Sequence, residues 1–438
     1  MTFFVRSSVD PQMELSYNKV AAVEATPAPH VPPQVIWPTV ASQFWRTTMY
    51  RIKTMNKISP VGLNTFDKEL YHVSDEHTDE HAILVRSAKL HDYDFPASLL
   101  AIARAGSGVN NIPLDRCSEQ GIVVFSTPGA NANAVKELVL CGMLIGSRDV
   151  DGSIQWVRKQ VEDGVEVAGL VEKAKSAFIG PELYHKTLGI IGLGAIGALV
   201  ANMAVALGMD VYGYDPYLSV DTALRLDRHV HHSKELNDIF EKSDYITIHV
   251  PYNQSTRHTI DAEAISRMKG NVRIINLARG ELVDDDAMIE ALNAGRVARY
   301  VTDFPNEKII NARNVVAIPH LGASSPESEQ NCAVMAAKEM KDYLENGNIV
   351  NSVNMPNVYM ERSGVARLCL IHRNVPAMLA HITSVLSKEG VNVEHLTNKS
   401  RGEYAYTMID VDTTISDALR QDLIAIENVI RVRILQMH

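Results

Sequence analysis

The sequence predicts an α/β protein made of two doubly wound parallel-sheet domains followed by a small ferredoxin-like βαββαβ domain. Three observations carry this reading. Short apolar runs alternate with helical patterns between about residues 49 and 345, as expected for strands covered on both faces. A Gly-x-Gly-x-x-Gly stretch, Gly192-Leu193-Gly194-Ala195-Ile196-Gly197, follows one such run and opens a helix. Residues 365–438 repeat a strand–helix–strand–strand–helix–strand order of their own. The length, 438 residues, sets an expectation of about three domains.

Residues 1–48 contain Pro27, Pro29, Pro32, Pro33 and Pro38, few charges and no hydrophobic period, which reads as a disordered extension. Its acids (Asp10, Glu14, Glu24) equal its bases (Arg6, Lys19, Arg46), and no compact apolar core follows a basic start, so it makes a poor targeting segment; Met49 is an alternative start. The runs Ile83-Leu84-Val85, Leu100-Ala101-Ile102-Ala103 and Gly121-Ile122-Val123-Val124-Phe125 read as strands. Residues 131–147 form a long helix that is apolar nearly all round and is expected to be buried between layers. A second set of strands occupies 188–191, 209–214, 245–249, 273–276 and 315–318. Ser325-Pro326-Glu327 caps a further helix with Ala333, Ala337, Met340 and Leu344 on one stripe. Residues 346–364 are Asn-rich and aperiodic, and read as a linker. In the last domain, strands are expected at 367–371, 391–399, 404–412 and 429–435, with helices at 375–389 and 415–427.

Composition narrows the function. Apolar residues make up 46% and charged residues 21%, ordinary for a globular chain. Lys plus Arg number 42 against 52 for Asp plus Glu, a net charge of −10, which argues against nucleic acid as a partner. No apolar run approaches the length of a membrane span. Cys117, Cys141, Cys332 and Cys369 lie far apart, which speaks against a metal cluster or disulfide scaffold and fits a reducing cytoplasm.

The glycine motif has a physical reading. Gly192 permits the tight turn, Gly194 the close approach of a pyrophosphate, and Gly197 the packing of helix on strand, while the amides of Ala195 and Ile196 open the helix toward the phosphates. Asp215, 18 residues beyond Gly197, stands where a carboxylate accepts the adenosine ribose hydroxyls; with no Arg beside it, NAD is favoured over NADP. Arg279 in Asn276-Leu277-Ala278-Arg279-Gly280 and His320 in Pro319-His320-Leu321-Gly322 both follow strand ends, where open sheets bind ligands. A guanidinium fork suits a carboxylate, and an imidazole suits proton transfer from a hydroxyl. Taken singly, such an Arg is more often a solvated surface group and such a His a satisfied core residue.

In their order, Lys186–Gly194, the 276–280 segment, Asp303-Phe304 and Pro319-His320 resemble the D-isomer-specific 2-hydroxyacid dehydrogenases over residues 49 to about 348. The resemblance implies that Arg279 binds the substrate carboxylate, that His320 is the acid/base and that Glu307 orients and charges it. It adds Val250, Pro251, Ala278 and Asp303 to the cofactor contacts. The family usually has one more residue between its Asp and Phe, and Pro after its Glu; here Asp303 directly precedes Phe304, and Lys308 follows Glu307. Leu84-Val85-Arg86-Ser87, the segment 104–111 and the segment 127–132 are similar to the branch that oxidises 3-phospho-D-glycerate to 3-phosphohydroxypyruvate, the first step of L-serine synthesis. That similarity implies phosphate contacts from Arg86 and Arg104, carboxylate contacts from the amides at Ser107, Gly108 and Val109, and a place for Asn131 in the substrate pocket.

The segment 367–376, with Gly390-Val391-Asn392, resembles an ACT domain, which implies that His372, Asn374 and Asn392 bind L-serine as a feedback effector. Ala377 stands where that module usually has glycine. The implied organisation is a lid domain (49–150 and 320–345), an NAD domain (151–319), the linker and a regulatory domain (365–438), assembled as a homodimer or homotetramer. Two rivals follow from the same residues: a sister enzyme reducing glyoxylate, hydroxypyruvate or 2-oxoglutarate, and a non-catalytic NAD sensor.

Overall fold

The computed structural model describes residues 49–436, so the reading of 1–48 lies outside the described residues. The first sheet holds β1 (Tyr50–Met55), β2 (Tyr71–Ser74), β3 (Ala82–Val85), β4 (Ala101–Arg104) and β5 (Val123–Phe125), all parallel, in the order β2-β1-β3-β4-β5. The second holds β6 (Thr187–Ile191), β7 (Asp210–Tyr214), β8 (Val230–Ser233), β9 (Tyr245–Ile248), β10 (Val272–Asn276), β11 (Val297–Thr302) and β12 (Val315–Ala317). Its order, β12-β11-β10-β9-β6-β7-β8, reverses direction between β6 and β9, and that switch point is the crevice where doubly wound sheets bind ligands. The third, antiparallel sheet holds β13 (Ala366–Arg373), β14 (Val393–Arg401), β15 (Tyr404–Val411) and β16 (Val429–Gln436) in the ferredoxin-like order β14-β15-β13-β16.

Four strands, β1, β2, β8 and β11, have no counterpart in the sequence reading. β2 and β8 are edge strands with weak alternation, and β1 and β11 mix charged and apolar residues, as in Tyr50-Arg51-Ile52-Lys53-Thr54-Met55.

The helix at 131–147 corrects two expectations. It spans Ala132–Ser147, and its buried face (Val135, Val139, Met143) joins the core around Ile190, Val200 and Ile275 of the second sheet, not that of the first. It is not buried all round either: Cys141 is exposed and Leu144 is 42% exposed. Gly142 makes close packing possible, because a Cβ there would already lie 3.3 Å from Ile275.

The helix Pro326–Asn346 returns to the first sheet. Ser325 caps it through the Ser328 amide, and Gly347 ends it at φ +74°. Its stripe of Ala333, Ala337, Met340 and Leu344 packs with Ile52, Leu84 and Phe125, as the periodicity predicts. The linker is not loose. Ile349, Met355 and Val358 are buried, and Asn354 accepts from the Val124 amide (2.8 Å) while donating to the Ile122 carbonyl (2.9 Å). Its polar side chains substitute for a further strand at the β5 edge, which is why it lacks any apolar period.

The C-terminal sheet covers one face with its own helices, Met378–Lys388 and Asp417–Ile424, and turns the other (Cys369, Ile371, Tyr406, Met408) into the core of the first domain. Polar bonds fix the joint at the C-terminal carbonyls of the Pro326–Asn346 helix. Arg433 donates to Tyr343 and Leu344 (3.2 and 2.9 Å), Arg362 to Glu345 (3.2 Å), Arg367 to Asn346 (2.8 Å) and Tyr406 to Gly347 (2.7 Å). Beyond the Tyr343 carbonyl, which also accepts from the Gly347 amide at 2.9 Å, these carbonyls lack partners within the helix, and all carry its negative dipole end, so cations suit them. Arg367 is also paired, fully buried, with Asp410 at 2.6 and 2.7 Å.

Candidate functional site

The loop after β6 behaves as its glycines require. Gly192 has φ +95°, and a Cβ there would press on the His249 carbonyl and Val250. A Cβ on Gly197 would overlap the Gly192 carbonyl oxygen, so the helix Ala195–Ala206 can approach β6 only with glycine there. Gly194, its N-cap, faces open space. Asp215, at the end of β7, accepts from the Leu193 amide (2.9 Å) and from Tyr217 (2.8 Å), which fixes its carboxylate beside the loop. This open, amide-lined cradle with an adjacent acid fits a dinucleotide. Val250 and Pro251 follow β9 across the switch point. His249 precedes them, its Nε2 3.0 Å from the Thr247 hydroxyl, and burial pushes its pKa down to about 3, so this position carries no charge toward the crevice.

Arg279 follows β10. The fully buried Asn276 shapes its turn by accepting from the Ala278 amide (3.2 Å) and donating to the Arg279 carbonyl (2.8 Å). The guanidinium lies 6.0 Å from the Phe304 ring, and His320 packs on the same ring at 4.6 Å, so one aromatic side chain brings both to one place. Across the cleft, a Cβ on Gly108 would lie 3.3 Å from the Arg279 fork, which places the 107–109 loop, with exposed Ser107 and half-buried Val109, against it. Arg104 folds over Gly106 and donates to the Arg86 carbonyl (3.1 Å). Burial, chiefly, holds the Arg104 pKa below its usual value, and the positive charges of Arg279 and Arg86 act the same way. Arg86 itself is paired with Glu329 at 2.7 Å, so an incoming anion must displace a carboxylate. A cavity of about 540 Å³ beside Arg104 also contains Ser87, Lys89 and His91. Lys89 and His91 escaped the sequence reading because no motif contains them.

Two expected residues stand elsewhere. Glu307 is exposed on the turn before Ile309, and its carbonyl, not its carboxylate, makes the local bond, accepting from Asn311 at 2.9 Å. The nearby Asp303 is buried, its Oδ2 accepts from the Gly322 amide at 3.3 Å, and the positive charges of His320 and Arg279 oppose the upward shift that burial gives its carboxyl. The short register ends β11 at Thr302 and turns Asp303 inward. Asn131 sits at the N-cap of the Ala132–Ser147 helix without a side-chain cap bond, and neighbouring Gly129 lies against Ala195.

The profile described as D-isomer specific 2-hydroxyacid dehydrogenase, NAD binding domain, matches residues 142–322. The D-3-phosphoglycerate dehydrogenase of Escherichia coli strain K12 is 32% identical over 350 residues, covering 77% of this chain and 82% of that protein. The chain belongs to the D-isomer-specific 2-hydroxyacid dehydrogenase family. The D-3-phosphoglycerate dehydrogenase of Methanocaldococcus jannaschii is 36% identical over 272 residues, 61% of this chain, and the match spans 49% of that longer protein. Among solved structures, a glyoxylate reductase from Paecilomyes thermophila shares the fold with a TM-score of 0.58 at 24% identity, over 70% of this chain and 98% of that one.

In this 2-hydroxyacid dehydrogenase the three expected effector residues do not meet within one chain. Asn374 bonds the β14–β15 hairpin at Glu403 and Gly402, the end where Arg373 pairs with Tyr404. Asn392 lies at the opposite end of β15, its carbonyl accepting from Asp412. His372 is 2% exposed, with Nδ1 donating to the Arg373 carbonyl (2.8 Å) and Nε2 2.9 Å from the Thr407 hydroxyl. Ala377 adopts the left-handed turn with φ +67°, so the glycine-type geometry is kept despite the methyl group. Among the described residues, no helix is long and apolar enough to cross a membrane.

Proposed function

We propose that the chain oxidises 3-phospho-D-glycerate to 3-phosphohydroxypyruvate with NAD, subject to feedback by L-serine, in a reducing, cytoplasmic setting consistent with its free thiols. The observation that supports this most is the convergence of Arg279, Arg104 and Arg86 with His320 at the ends of both sheets. Two anionic groups on one small substrate account for three cations, whereas a plain 2-hydroxy acid needs one. Arg279 would hold the carboxylate, Arg104 with Arg86 the phosphate, and His320 would take the C2 hydroxyl proton. NAD, held by the Gly192–Gly197 loop and Asp215, would supply the hydride acceptor. Domain closure over this cleft would exclude water. The exposed apolar side chains Leu144, Val150, Ile154, Val157, Val161 and Ile179 support a homodimer. A second copy set antiparallel along β14 would bring Asn374 of one chain to Asn392 of the other, favouring a tetramer when both interfaces form.

The Arg86–Glu329 pair supports a second reading, a reductase of unphosphorylated 2-oxo acids, because it neutralises one of the three cations. NADH formation from 3-phosphoglycerate, with D-glycerate as control and with and without L-serine, tests the proposal. Turnover that needs the phosphate and falls with serine is expected. Equal turnover of D-glycerate, or activity confined to glyoxylate or 2-oxoglutarate, would replace it with the second reading.

A further inference from the structure

A cavity of about 510 Å³ lies where the third domain meets the first. β16 lines it with Ile430, Arg431, Arg433 and Leu435, and the Asp417–Ile424 helix adds Arg420. The first domain contributes Tyr50, His81 and Leu100, which stand at or just before the starts of β1, β3 and β4. Arg86 and Arg104 stand at the other ends of β3 and β4. These strands are four residues long, so about 13 Å of sheet separates the cavity from the catalytic cleft.

The lining is cationic without a counter-charge. Three guanidinium groups face the cavity, and no Asp or Glu among the described residues lines it. His81 adds no charge, because burial and the positive charge of Arg51 push its pKa down. Asp79, two residues before it, is paired with Arg51 at 2.9 Å. Two of the arginines have structural duties: Arg433 holds the Tyr343 and Leu344 carbonyls, and Arg431 donates to the Leu99 carbonyl. Carbonyls carry only partial charge, so the positive field stays. Burial, chiefly, holds the Arg431 guanidinium below its usual range, and the charge of Arg433 acts the same way. Arg420 has no such duty. It is half-buried, and its side chain bonds to no described residue. Like charges gathered against the apolar side chains of Leu100, Ile430 and Leu435 repel, and an oxyanion relieves them through forked, charge-assisted bonds.

We propose that this cavity is an anion site, separate from the catalytic cleft, that takes a small oxyanion of at least two charges and bridges the third domain to the first. Its volume exceeds what inorganic phosphate fills and suits a phosphorylated or polycarboxylic metabolite. Arg420 and Arg431 supply the forks, and Arg433 supplies field while keeping its helix carbonyls.

The test is calorimetric titration of the full chain with pyrophosphate and with citrate, at matched ionic strength, with NADH present to occupy the dinucleotide cradle. Wild type, Arg420→Gln, Arg431→Lys and Arg104→Gln are compared. Arg420→Gln is expected to weaken binding about tenfold or more, and Arg431→Lys, which keeps the charge and loses the fork, by less. Arg104→Gln leaves the affinity within about twofold, since it acts at the other end of β4. Tighter pyrophosphate assigns the site to phosphate, and tighter citrate to carboxylates. No binding of either probe up to about 10 mM would overturn the proposal. So would an affinity that Arg420→Gln and Arg431→Lys leave unchanged, or one lost only in Arg104→Gln, because the anion would then occupy the catalytic cleft. Arg420 has no partner to lose, so Arg420→Gln melts as wild type without the probes and falls short of it with them.

Discussion

Ala377 holds a left-handed backbone, φ +67°, at the start of the Met378–Lys388 helix. A methyl group in that conformation costs roughly 1 kcal/mol. Ala377→Gly is therefore expected to stabilise the protein, by somewhat less than that because glycine also frees the unfolded chain, as read from urea unfolding midpoints. Glu339 is a second residue under tension. Its Oε1 accepts from Asn351 at 2.7 Å, its Oε2 has no partner among the described residues, and burial raises its pKa to about 8. A carboxyl whose folded pKa is raised contributes its full stability below the unfolded value, near 4.5, and loses it as pH rises through about 8. Glu339→Gln should match wild type near pH 4 and melt higher near pH 9, a difference on the order of 2 kcal/mol by calorimetry. Residue types at the site were readable from the sequence: Arg279, His320, Asp215 and the glycines stand where their motifs imply. That Glu307 stands exposed while Asp303 is buried was not, because the burial of two carboxylates four residues apart depends on how the chain turns after β11.

Among the elements, the strand–helix junction at β6 makes a sharp comparison. Gly197→Ala drives a Cβ into the Gly192 carbonyl and should cost about 3 kcal/mol or more, seen as loss of soluble, cooperatively melting protein. Gly194→Ala meets nothing within 4 Å, so melting should stay within about 0.5 kcal/mol of wild type. NADH affinity, read by fluorescence titration, should fall about tenfold, because the methyl fills the space a pyrophosphate needs. Elements with a clean period were legible, the Pro326–Asn346 helix and β15 among them. The Ala132–Ser147 helix misled by composition: its outward face carries Asn133 and Glu137 in the first half and the exposed Cys141 and Leu144 in the second, so hydrophobicity alone could not tell a buried layer from a surface partly suited to another copy. β1 was hidden because it mixes Arg51 and Lys53 with its apolar residues, and β8 because it is an edge strand carrying exposed His231 and His232.

For the whole molecule, the joint between the first and third domains carries the stability argument. Arg433→Ala removes two bonds to helix carbonyls and the guanidinium stacked on the Tyr343 ring, leaving the Tyr343 carbonyl to the Gly347 amide and the Leu344 carbonyl to the Tyr50 hydroxyl. The cost should be about 3 kcal/mol, with faster amide exchange confined at first to the last turn of the Pro326–Asn346 helix. The linker was opaque in the sequence since Asn354 docks it through side-chain bonds and its buried apolar residues, Ile349, Met355 and Val358, follow no helix or strand period. Two of those carbonyl contacts, from Arg362 and Arg367, lie at or just past it.

The same helix has Glu329 in its first turn, on Arg86, and its last carbonyls in the grip of the C-terminal sheet. Its 21 residues span about 31 Å. Packed against the first sheet along its length, it is a rigid strut and not a free lever. A shift of the C-terminal sheet at its far end is therefore carried, with the first sheet, to the grip of Glu329 on Arg86.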